Sequence, residues 1–66
     1  MTKRIAEKTI ATVTRMNTDW PVIAMVEREN YGGYVLWTVK TVCNGIAEYS
    51  ERFSTKREAM AQYEAL

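Results

Sequence analysis

The chain has no histidine, one cysteine, one proline and three glycines among its 66 residues. Each scarcity closes a route. Without histidine no side chain ordinarily changes charge near neutrality, so a general acid or base would have to be a carboxylate, lysine, tyrosine or cysteine retuned by burial. Tetrahedral zinc sites need histidines or several thiolates, and Cys43 alone supplies neither, so no metal is expected. Cys43 has no partner for a disulfide within the chain and no histidine to activate it, which suits a small buried thiol at a strand end better than a nucleophile. No apolar run approaches the roughly 18 residues of a membrane span. Lys3, Arg4, Glu7 and Lys8 interrupt the start of the chain where a secretion signal would be apolar, so a cytoplasmic protein with no membrane partner is expected.

Length and charge narrow the field further. A chain this short buries only about 60% of its unfolded surface, which leaves one core, residues 1–66 as a single domain, and little room for a deep substrate pocket. The expectation is therefore a non-enzymatic surface binder without catalytic residues or cofactor. Nine Lys and Arg against eight Asp and Glu give a net charge of +1. That near balance argues against reliance on phosphate contacts, and equally against an acidic surface imitating DNA. A protein partner is favoured and direct nucleic-acid binding disfavoured.

What the sequence does hold is strand and turn chemistry. Between Thr9 and Thr14 five of six residues are β-branched, which points to a strand over about 8–16. A helix is the competing reading, because Ile5, Thr9, Ile10 and Val13 would share one helical face. Asn17 to Pro21 has turn composition, and a second strand is expected over 22–29. Asn30-Tyr31-Gly32-Gly33 predicts a hairpin, its paired glycines offering positive φ. Residues 34–43 then alternate between a face of Val35, Trp37, Val39, Thr41 and Cys43, the better core face, and one of Tyr34, Leu36, Thr38, Lys40 and Val42. Asn44-Gly45 suits a two-residue type I′ turn into a strand over 46–53, where Ala47, Tyr49 and Phe53 alternate with Glu48, Ser50 and Arg52. Thr55-Lys56-Arg57-Glu58 fits a capping box opening a helix over 55–66, with Ala59, Met60, Tyr63 and Leu66 as its apolar stripe. The predicted fold is α+β: a four-stranded antiparallel meander with one C-terminal helix packed on one face.

Aromatic residues near the turns are the candidates for contact. Tyrosine and tryptophan bring large area at low rotamer cost. Tyr31 and Tyr34 flank the glycine tip and are the expected anchors, with Arg28, Glu29, Lys40 and Arg52 as flanking polar contacts. Trp20 is expected to fold over the end of the sheet. On the face the helix leaves open, Leu36 and Val42 beside Tyr34 and Lys40 would form an exposed mixed apolar surface. A second copy of the chain covering that face, a homodimer, is the alternative occupant.

Two resemblances bear on function. Val39-Lys40-Thr41-Val42-Cys43-Asn44-Gly45, then Phe53-Ser54-Thr55 and Tyr63, resemble the strand, Asn-Gly turn, Phe-ended strand and aromatic helix of a small phage anti-CRISPR protein that inhibits a type I CRISPR-Cas surveillance complex. The resemblance implies a phage or mobile-element inhibitor in the host bacterial cytoplasm, whose sheet face docks on a Cas subunit and obstructs target DNA. The residues that extend such a protein beyond its helix are missing here. Phe53-Ser54-Thr55-Lys56-Arg57-Glu58-Ala59 also resembles the final segment of the sheet-reading DNA modules at the N-termini of phage integrases. That likeness implies an accessory domain presenting Arg28, Lys40 and Arg52 to the major groove.

Overall fold

The computed structural model describes all residues, Met1–Leu66. Alternating β-branched and aromatic residues, separated by two-residue turns at Met16-Asn17 and Asn44-Gly45 and a four-residue tip at Tyr31–Tyr34, fold the chain into four antiparallel strands and a helix: β1 (Thr2–Arg15), β2 (Thr18–Asn30), β3 (Val35–Cys43), β4 (Ile46–Phe53) and α1 (Lys56–Glu64). Sheet order follows chain order, β1-β2-β3-β4. The protein is thus α+β, a meander with its helix on one face. That helix is too short to cross a membrane.

The register defines the two faces. Val26 sits opposite Val39, Ala24 opposite Thr41 and Arg28 opposite Trp37, and these side chains point toward α1. Ala24, Val26, Val39, Ala59 and Tyr63 form the buried centre, with Ile5, Ala6, Ile10, Trp37, Tyr49, Phe53 and Met60 packed around it. The helix therefore covers the Trp37/Val39 face, the face that alternation favours. Val26 and Val39 are its largest fully buried side chains, and burial of each contributes about 2 kcal/mol. Cys43 is buried and free at the end of β3.

Several boundaries depart from the sequence reading. β1 begins at Thr2 rather than near residue 8, because irregularities between Arg4 and Ala6 and between Thr9 and Ala11 insert Ile5 and Ile10 as extra residues and break the period of two. The first turn is Met16-Asn17, with φ of 51° and 62°, and not the Asn17–Pro21 segment. Thr18–Pro21 belongs to β2. Pro21 is tolerated there because the pairing of β2 with β3 starts only at Val22, leaving Pro21 a neighbour on one side. Tyr34 lies outside β3. Of the two glycines at the second tip only Gly32 takes a positive φ, 89°.

Two further corrections concern the C-terminal half. A register shift between Thr41 and Val42 places Ala47 opposite Val42, away from the helix, so it does not share a face with Tyr49 and Phe53. The helix ends at Glu64, and Leu66 lies beyond it, exposed and outside the core stripe. At the other helix end Thr55 is the cap: its hydroxyl oxygen accepts from the Glu58 backbone N–H at 3.3 Å and donates to the Glu58 carboxylate at 2.8 Å. The box is half made, because the carboxylate takes the hydroxyl rather than the cap's backbone N–H.

Candidate functional site

Asn30 ends β2, and its side-chain oxygen accepts the Gly32 backbone N–H at 2.8 Å, bending the chain back over itself. The Tyr31 N–H closes the tip on the Tyr34 carbonyl at 2.9 Å. This brings the two rings together as an exposed stack, centroids 5.1 Å apart and planes 20° apart. Tyr31 is 46% exposed and Tyr34 61%, so the paired rings face solvent. The N-terminal strand closes beside them, with the Met1 amine donating to the Asn30 carbonyl and the Asn30 N–H to the Met1 carbonyl, each at 3.0 Å.

The stack is tied to the open face through Glu29. Its carboxylate accepts hydrogen bonds from the Tyr31 phenol and from the buried Thr38 hydroxyl, and the Arg52 Nε lies 4.0 Å away. The Thr38 bond first, then the Tyr31 bond, holds the Glu29 carboxyl below the usual carboxylate range. Reciprocally, the bond to Glu29 pushes the Tyr31 phenol above its ordinary value. A second group stands beside it on the same face. Lys40 Nζ meets Glu27 at 2.7 Å, and Arg4 reaches Glu27 at 3.8 Å and Glu7 at 3.4 Å. Three cations thus meet three carboxylates between strands β1 and β4. The apolar side chains beneath this network are Ile23, Leu36 and Val42, half-buried, and Met25, which is buried.

Of the residues singled out from sequence, the structure brings Tyr31, Tyr34, Glu29 and Arg52 together, with Lys40 on the same face one ion pair away. Arg28 is not among them. It points to the helix side, its guanidinium 5.8 Å from the centre of the Trp37 ring. Thr38, Glu27, Arg4 and Glu7 join the network without having been singled out as contacts. Trp20 is half-buried, opposite Val13 on the helix-side face beyond the end of β3. No three of the acidic and sulfur side chains converge as a metal-binding group would require.

No protein-family model matches the chain, and comparison with curated proteins and with solved structures returned no match.

Proposed function

We propose that the protein acts without catalysis, by docking on another protein through the tyrosine stack and the open sheet face. The observation that carries this reading is the exposed Tyr31–Tyr34 stack, held in place by Asn30 and Glu29 at the edge of a charge-balanced surface. Two large rings already ordered against each other lose little freedom on binding, which is what an interface anchor requires. The charges beside them are internally matched, Arg4 and Lys40 on Glu27 and Arg52 on Glu29, so the face selects a partner by pattern and not by net attraction to polyanions. The same matching weighs against the integrase-like alternative, in which this face would offer uncompensated cations to a major groove.

The resemblance to type I inhibitors names the partner: a Cas subunit of a type I effector complex, whose engagement of target DNA is blocked. The test mixes the protein with purified type I complex and follows retention of target duplex. Wild-type protein should abolish retention at stoichiometric ratio. Tyr31→Ala/Tyr34→Ala should weaken inhibition by about thirtyfold or more, with unchanged circular dichroism, because a stacked pair acting as one hot spot is worth about 2 kcal/mol or more while these two rings lie outside the core. Full target binding in the presence of excess wild-type protein would refute the reading.

A further inference from the structure

Charge on the β1–β2 hairpin is sorted by face. The register places Lys3, Lys8, Arg15 and Arg28 on the helix-side face, whereas Glu7, Asp19, Glu27 and Glu29 all lie on the open face with Arg4. Neither strand contributes a carboxylate to the helix side. The acids present on that side belong to β4 and the helix, where Glu51 accepts the Tyr49 phenol and Glu58 the Thr55 hydroxyl. The helix lies over β2, β3 and β4 and reaches β1 through Tyr63 beside Lys8, so Lys3 and Arg15 toward the two ends of that flank stay exposed.

None of these four cations pairs with a carboxylate; the ion pairs of the molecule use Arg4, Lys40 and Arg52. Two of the four are held over aromatic rings instead, Lys8 Nζ 4.4 Å from the centre of Tyr63 and Arg28 over Trp37. A ring fixes a cation's position without neutralising it. Lys3 and Arg28 moreover stand directly opposite each other, an arrangement that destabilises a strand pair unless an anion compensates. At about 3.3 Å per residue the row from Lys3 to Arg15 spans roughly 40 Å, nearly the length of the molecule, with Lys3, Arg28 and Lys8 grouped at one end and Arg15 at the other.

We propose that this ledge binds the phosphate backbone of double-stranded nucleic acid. Its shape selects that partner. An acidic protein would present a patch, and a standard interface of about 800 Å² per partner is only about 30 Å across. A row one or two side chains wide and longer than that fits a line of charge, which a duplex supplies at about one phosphate per 1.7 Å of axis. The near-neutral total conceals the ledge because the compensating acids sit on the other face of the same hairpin. This surface is separate from the tyrosine stack and stands whether or not that stack docks on a protein.

The test is a fluorescence anisotropy titration of a labelled duplex of mixed sequence at 50 mM and 200 mM salt, and four neutralised phosphates predict affinity falling about a hundredfold between the two. Lys3→Gln/Arg15→Gln, both exposed and outside the core, should weaken binding at low salt and roughly halve the salt slope, while Arg52→Gln on the open face should leave both unchanged. Absence of duplex binding at 50 mM salt would overturn the proposal. So would binding that the double variant leaves intact, or that Arg52→Gln weakens as much. Polyglutamate binding to the ledge more tightly than duplex would reassign it to an acidic protein.

Discussion

Glu29 concentrates more of the chemistry on this surface than any other residue. One carboxylate receives a buried hydroxyl, an exposed phenol and a guanidinium from three different segments. Because its carboxyl is held below the ordinary range, the ionised form stabilises the fold; that contribution is present above the ordinary carboxylate range and is lost as pH falls through the lowered value. Thr38→Val, which keeps the shape and removes the donor, should destabilise by about 1–2 kcal/mol and move acid unfolding to higher pH, as read by circular dichroism. The phenols report from the other side. Hydrogen bonds to Glu29 and Glu51 push Tyr31 and Tyr49 upward, so each phenol stays neutral, and its bond intact, until pH rises past the raised value. A spectrophotometric titration should show both ionising above their ordinary range, and Glu29→Gln should return Tyr31 alone toward it. At this scale the sequence was partly legible. The period of two puts Lys40 and Thr38 on one face, but nothing local says that Glu27 and Glu29 of β2 reach across to them. Grouping Arg28 with Glu29 ignored the same period, since neighbouring residues of a strand point to opposite sides.

Among the elements, turns with strong dipeptide signals were readable and those without were not. Asn44-Gly45 turns with both φ values positive, as its composition demands. Met16-Asn17 adopts positive φ at both positions as well, yet Met is a poor residue for that conformation and gave no signal. The register of β1 against β2, which extends on both sides of Pro21, imposes that turn. Met16→Asn/Asn17→Gly should therefore raise stability by about 1 kcal/mol, a midpoint increase of roughly 4–8 °C in a domain this small, measured by thermal unfolding. An unchanged or lowered midpoint would show that the backbone strain at Met16 is negligible. The two inserted residues explain why the start of β1 was hidden: Ile5 and Ile10 both pack against the core, a spacing that alternation cannot produce.

As a whole the molecule is a blade of 46 × 22 × 15 Å rather than a sphere. Its length comes from the β1–β2 hairpin, which outruns β3: Thr12–Arg15 and Thr18–Pro21 pair only with each other. A two-stranded ribbon is marginal by itself, whereas the four-stranded body is braced by the helix. Native-state hydrogen exchange should therefore find the ribbon amides opening at lower free energy than those of Val26 and Val39, and equal protection would contradict this. Composition could not foretell the sorting of charge by face, since a total of +1 is the same whether cations and acids are mixed or segregated. The hydrogen-bonded closure of Met1 on Asn30 carries a practical corollary. Anything covalently joined upstream of Met1 emerges one residue from Tyr31, so an amino-terminal fusion shades the tyrosine stack. A carboxyl-terminal fusion leaves from the helix side, near Tyr63 and Lys8, and shades the basic ledge instead. Lys3 stands only two residues from Met1, so a bulky amino-terminal tag crowds the stack and the near end of the ledge together, whereas the same tag at the carboxyl end occludes the ledge near Lys8 and spares the stack without any mutation.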